Sequence, residues 1–169
     1  MRVLAVDPGY DRLGVAVLEP HKSEAKEVLL YSGCIVTDRK DNIGKRLGVI
    51  GQEFKNLLKK YQPDSVAVEN LFFNKNQKTA VVVAEARGVV VYLAETAGCD
   101  LYEFGPQEIK VAVTGYGKSD KKQVIEMVKR LVPDAPDDAL DDEYDAIAVG
   151  ITAIAHNRGG VNEAENKLG

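Results

Sequence analysis

Four apolar residues, Val3 to Val6, open the chain as an unbroken run, the pattern of a strand buried on both faces, and the run ends on Asp7. Pro8, Gly9 and Asp11 supply turn chemistry, and Leu13–Leu18 reads as the returning strand. A charged connection, His21–Glu27, leads to a third strand at Val28–Val36. The apolar period then becomes helical. Ile43, Leu47, Ile50, Phe54, Leu57 and Leu58 make one stripe, capped at Asp41 or Asn42 and running to about Tyr61. Pro63 and Asp64 break it, and Ser65–Val68 is a short buried strand that delivers Glu69 as the first delivered Asp7.

Asn70–Lys78 is a polar loop carrying two aromatics. Thr79–Ala97 is apolar almost all round, which predicts a helix buried on two sides, either between the sheet and a second subunit or wholly inside one subunit. Asp100–Phe104 reads as a fifth strand, Pro106 opens a short helix to about Val113, and Thr114–Lys118 is a Gly-containing turn. Ser119 or Asp120 caps a helix through Leu131, and Pro133–Leu140 is an acidic loop. Asp142–Asn157 is the last helix, with Ile147, Ile151 and Ile154 facing the core. This order predicts an α/β protein: a mixed five-stranded sheet, three antiparallel strands then two parallel, with helices on both faces.

A length of 169 residues and an apolar share of 45% fit one domain with a sizeable core, taken as residues 1–157, and a polar, flexible tail over 158–169. No run approaches the roughly 18 apolar residues of a membrane span. A strand at the very start leaves no room for a signal peptide, and Cys34 and Cys99 show no zinc spacing, so a reduced, cytoplasmic protein is expected. The net charge of −4 is unevenly spread. Asp134, Asp137, Asp138, Asp141, Asp142, Glu143 and Asp145 crowd one stretch, and the rest of the chain is slightly basic.

A carboxylate at the end of a buried strand is costly unless a metal ion, a lysine or solvent meets it, or unless it shapes the turn by accepting backbone N–H groups. Asp7 has a parallel in Glu69, and adjacent strands would bring both to one end of the sheet. In the last helix Asp142 and Asp145 share a face, being three residues apart, but so do Asp138 and Asp141. Acids gathered at one point repel unless divalent cations sit among them, and carboxylate oxygens without His or Cys favour Mg²⁺ or Mn²⁺ over zinc. Two such ions about 3.5–4 Å apart activate a water and steady the departing oxygen of a phosphodiester. No Ser–His or Cys–His arrangement offers an alternative nucleophile: His21 lies in a charged loop and His156 at a helix end.

VDPGYDRLGVAV at the start, VAVENLFF around Glu69, QEIK with TGYGKSDKKQV, and DDEYDAIAVGITAIAH together resemble the RuvC family of bacterial Holliday-junction resolvases, over residues 1 to about 157. The resemblance implies a ribonuclease-H-like fold and resolves the helix register, placing the family's metal-binding acids on Asp7, Glu69, Asp142 and Asp145. It implies two Mg²⁺ per subunit, for which Mn²⁺ substitutes, and a homodimer that nicks opposing strands of four-way junction DNA. The products would carry 5′-phosphates and 3′-hydroxyls, and the partner would be the RuvA–RuvB branch-migration complex.

Lys110 and Lys121 match lysines that the family sets near the scissile phosphate, and Phe72 matches its aromatic at the junction centre. Read from the residues, Phe72 and Phe73 either stack on unpaired bases or anchor their loop. Lys110, Lys118, Lys121 and Lys122 surround a helix N-terminus, a natural phosphate site. Lys75, Lys78 and Arg87 would extend the grip along the backbone unless they are merely solvated. An actin-like or hexokinase-like ATPase, which would need a second phosphate loop and a nucleotide-binding half that the chain lacks, a nuclease acting on RNA and a junction-binding protein that does not cut are the rival classes. Clustered acids beside phosphates argue against the last.

Overall fold

A computed structural model of the chain describes residues 1–22, 26–70 and 77–166. Its strands are β1 (Val3–Asp7), β2 (Arg12–Pro20), β3 (Glu27–Val36), β4 (Ser65–Glu69) and β5 (Asp100–Phe104), in the sheet order β3-β2-β1-β4-β5. β2 pairs antiparallel with β1 and β3, whereas β4 is parallel to β1 and β5 parallel to β4. The helices are α1 (Ile43–Tyr61), α2 (Gln77–Thr96), α3 (Pro106–Thr114), α4 (Lys121–Leu131) and α5 (Asp141–Asn166). This is the mixed sheet the patterning predicts.

The strand period of two divides each central strand between two cores. Val3 and Ala5 of β1 join the core under α3, α4 and α5, with Ile147, Ile151 and Ile154 all buried there. Leu4 and Val6 join the core under α1 and α2, with Ile50, Phe54, Leu58, Ala86, Val90 and Ala94. Each fully buried large side chain in these layers contributes about 1.5–3 kcal/mol. The helix α5 lies so close to the sheet that a methyl group on Gly150 would run into the side chain of Leu18 and stand 3.3 Å from the Cβ of Ala5.

Caps fix the helix starts. The Asn42 side chain accepts from the Lys45 N–H at 3.0 Å. Asp120 and Gln123 exchange side-chain-to-backbone bonds, both 2.9 Å, at the start of α4. Three expectations need correction. Gln77 and Lys78, read as loop, already belong to α2. The last helix does not stop at Asn157 but continues to Asn166, so most of the segment expected as a flexible tail is helical backbone. Arg158 grips the buried Glu27 through both carboxylate oxygens, at 2.9 and 3.3 Å, and holds the turn that the following glycines would otherwise loosen. In α1 the buried row is Arg46, Ile50, Phe54 and Leu58, and Ile43 is exposed. Arg46 tolerates burial because it donates to Thr37 Oγ1 at 2.9 Å, to the Tyr10 carbonyl at 2.8 Å and to Asp11, with its guanidinium 4.5 Å from the centre of the Tyr10 ring. Among the described residues no helix is long and apolar enough to cross a membrane.

Candidate active site

Parallel pairing sets Val6 beside Val68, so the next residues of the two strands, Asp7 and Glu69, emerge side by side at one end of the sheet. On the other side of β1, Asp7 pairs with Gly14. A Cβ at Gly14 would collide with the backbone carbonyl of Asp142 and would stand 3.3 Å from the Cβ of Asp7. Only glycine lets the start of α5 come down on the hairpin there. That contact brings Asp142, and Asp145 one turn later, to the strand ends.

Asp7 feels the charges of the other three carboxyl groups. Burial first, then the charges of Glu69, Asp145 and Asp142, push the Asp7 carboxyl from 3.8 up to about 8, against the pull of Lys121. Glu69 is also raised, by burial and then by Asp145, with Lys110 and Lys121 opposing. Asp145 is raised by burial, and its hydrogen bond to Lys121 works against the rise. A metal-free site at neutral pH therefore keeps a proton on the Asp7–Glu69 pair. The neighbouring Cys34, on the β3 position paired with Gly14, is pushed up to about 11 by burial and then by Asp142, so its thiol stays protonated and unreactive.

Two cations of the chain already meet the α5 acids. Lys121 Nζ lies 3.1 Å from an oxygen of Asp145 and 3.1 Å from one of Asp141. Arg12 Nε lies 2.8 Å from Asp142 Oδ2. That oxygen is shut off from solvent, yet it receives no hydrogen bond of acceptable direction. With Asp142 and Asp145 so engaged, no three acidic, histidine or cysteine side chains among the described residues converge closely enough to hold an ion as they stand. The donor set still fits a hard divalent cation: half-buried carboxylates, one orphaned oxygen, and a proton on Asp7 that a bound cation would drive off at neutral pH.

Glu69, Lys110, Lys121 and Asp145 line a cavity of about 220 Å³, together with Pro106, Ile109, Val124 and Ala148. Lys118 and Lys122 stand exposed beside it. The turn before α4 is held by Thr114 Oγ1 against Ser119 Oγ at 2.7 Å and by Ser119 Oγ donating to the Tyr116 carbonyl at 2.8 Å. Arg87 is paired with Glu103. Phe72, Phe73 and Lys75 lie outside the described residues, as does the side chain of Lys78. His156, which lies within α5 and not at its end, is exposed and meets the Phe104 ring edge-on at 5.7 Å.

Sequence reasoning missed Arg12, and it set aside Asp141. The signal for Arg12 was its place two residues before Gly14, which becomes informative only once the hairpin register is known.

The family model for "Crossover junction endodeoxyribonuclease RuvC" matches residues 3–156. The chain is 48% identical to the crossover junction endodeoxyribonuclease RuvC of Thermosipho melanesiensis over 149 residues, 88% of this chain and 94% of that one. It is 42% identical to the RuvC of Finegoldia magna, over 91% of this chain and 93% of that one. Among solved structures it is similar to Thermus thermophilus RuvC in complex with a Holliday junction substrate. That match has a TM-score of 0.89 and 31% identity, and covers 95% of this chain and 96% of that one.

Proposed function

The chain belongs to the crossover junction endodeoxyribonuclease family RuvC, and we propose on that premise that it is a Holliday-junction resolvase. It works in the cytoplasm as a metal-dependent endonuclease that makes paired, symmetric nicks in four-way DNA junctions during recombination and repair. The nicks leave 5′-phosphate and 3′-hydroxyl ends.

Asp7, Glu69, Asp142 and Asp145 would hold two Mg²⁺, or Mn²⁺ in their place. When bound, the ions supply an activated water and stabilise the departing oxygen. The chain's own groups do the rest. Lys121 sits on the acid cluster, where it neutralises charge that builds on the phosphate in the transition state. Lys110, on the wall of the same cavity, orients that phosphate. Lys118 and Lys122 hold the neighbouring backbone, and their share of affinity falls as salt rises. Lys75, Lys78 and Arg87 extend the grip in the same way, Arg87 only after leaving Glu103. Phe72 stacks on a base at the opened junction centre, worth about 1–3 kcal/mol.

A symmetric junction requires two such sites facing opposite strands, so the working unit is a homodimer. The outer face of α2 supports this: Val81 is 60% exposed and Tyr92 69% exposed. Beside them a groove of about 570 Å³ runs between α1 and α2. The family likeness extends the reading to action beside the RuvA–RuvB complex.

What supports the proposal most is that half-buried Asp7 and Glu69 leave neighbouring parallel strands side by side, with Asp145 and Asp142 near enough for their charges to act on Asp7. The test is incubation with a synthetic four-way junction and with a linear duplex, each with Mg²⁺ and with chelator. Paired nicks in the junction alone are expected only with Mg²⁺. The Asp7→Asn variant should lose the activity by about a thousandfold or more while staying folded. Equal cutting of the linear duplex or of RNA would overturn the assignment.

A further inference from the structure

We propose that Arg12 is an exchangeable counter-ion of Asp142: it holds that carboxylate until a divalent cation takes its place, and so sets how much Mg²⁺ or Mn²⁺ the site requires. The inference rests on the metal-site reading above and concerns a residue outside that ligand set.

Arg12 opens β2, and its side chain is 49% exposed even though it touches a carboxylate at the strand ends. A strong arginine–carboxylate pair uses two parallel N–H···O bonds. Here a single nitrogen comes to 2.8 Å of Asp142 Oδ2, and its direction makes no hydrogen bond. Attraction is present without the geometry that would make it durable. Lys121 differs, since it donates a directed bond to Asp145 at 3.1 Å. Of the acids assigned to the metals, Asp142 is thus the one that keeps a buried oxygen unsatisfied.

The surroundings give Arg12 somewhere to go. It lines a groove of about 450 Å³ together with Gly9, Tyr10, Asp11, Thr37 and Arg39. Arg39, the other cation on that wall, is paired at 2.7 Å with Asp11, which also binds Arg46. Arg12 therefore bears on Asp142, whereas the two other arginines bear on Asp11. Exchange is a substitution of one positive charge for a larger one, in which the guanidinium moves to water in the groove. Because the pair is partly exposed, its loss should tighten metal binding by only about two- to fivefold.

The test titrates Mg²⁺, and separately Mn²⁺, into the full metal-free chain by calorimetry at fixed pH and salt. Wild type is compared with Arg12→Gln, Arg39→Gln, Asp7→Asn, Asp142→Asn and the Arg12→Gln/Asp142→Asn double variant, and melting in chelator checks the fold of each. Arg12→Gln should bind both ions about two- to fivefold more tightly. Arg39→Gln should leave affinity unchanged, and Arg12→Gln should have no effect once Asp142 is Asn. Unchanged or weaker binding by Arg12→Gln overturns the inference, as does an equal gain in Arg39→Gln, which would mark a general charge effect. If folded wild type binds neither ion, the metal-site reading itself fails and the inference falls with it. If wild type binds and Asp7→Asn does not, that reading stands whatever Arg12 does.

Discussion

The two faces of the sheet use glycine in opposite ways. Under α5 the molecule is closed: a methyl group at Gly14 or Gly150 would strike the Asp142 backbone or the Leu18 side chain. Ala146 to Val149 are fully buried against β1 and β2. On the other face the inner sides of α1 and α2 are packed, but their outer sides are not. A Cβ at Gly48 or Gly88 would meet nothing within 4 Å, and Tyr92 stands out beside them. One face is packed to fix the positions of carboxylates. The other keeps small residues and exposed apolar groups on a surface that suits a second copy. Gly51, where α1 meets α2, is also a close approach, since a Cβ there would stand 3.2 Å from Val89; it is at Gly48 and Gly88 that the same residue type means unfilled space.

Gly14→Ala probes the closed face with the largest effect. The atom in the way is a backbone oxygen, which cannot rotate aside, so β2 and the start of α5 must part. A cost of about 2–4 kcal/mol is expected in chemical denaturation. Asp142 moves with α5, so Mg²⁺ affinity should fall by about tenfold or more. Gly48→Ala, the counterpart on the open face, should change neither quantity for the worse. A Gly14→Ala chain with wild-type stability and metal binding would remove close approach as the reason the acids meet.

The closed face should also carry a pH dependence. Asp7 is raised from 3.8 to about 8 in the folded chain, so between those values the folded state holds a proton that the unfolded state has released. That contribution to stability is fully present below the unfolded pKa and is lost as pH rises through about 8. Metal-free protein should accordingly lose stability from about pH 4 to about pH 8 and level off above, and Asp7→Asn should flatten that decline. A cation must displace the same proton, so Mg²⁺ affinity should rise by up to about tenfold per pH unit, near 1.4 kcal/mol, and level off above pH 8. Affinity that stays flat from pH 6 to 8 would mean Asp7 is already ionised, and the cluster less crowded than its geometry indicates.

Much of this was legible before any coordinates, for reasons that are local. Strand runs ending on Asp7 and Glu69 declare themselves by period, and parallel pairing of like runs puts their last residues together. Spacing alone left Asp138 and Asp141 level with Asp142 and Asp145, and only the family resemblance chose the second pair. What stayed hidden depends on long-range contacts. Arg46 heads the row that continues through Ile50, Phe54 and Leu58, but a charged residue reads as solvated until Asp11, Thr37 and the Tyr10 carbonyl are known to surround it. Asp141 reads only as half of the rival Asp138–Asp141 pair until Lys121 is seen to bridge it to Asp145. The extra length of α5 was masked by glycines after Arg158, whose partner Glu27 lies in the third strand.

The smallest effect tests the open face. Gly88 sits inside α2 with free space around its missing side chain. Gly88→Ala should therefore stabilise the isolated chain by about 0.5–1 kcal/mol, because alanine loses less backbone freedom than glycine in a helix interior. If a second copy packs its own α2 closely at this point, the same methyl group must enter that interface. Stability at low protein concentration should then rise while dimerisation, followed by sedimentation, weakens. A gain in stability with unchanged dimerisation would put the subunit contact elsewhere on α2, toward Val81 or Tyr92, which Tyr92→Glu would then locate. A loss of stability in the isolated chain would show that the space beside Gly88 is filled within one subunit, and the contrast between the two faces would no longer hold.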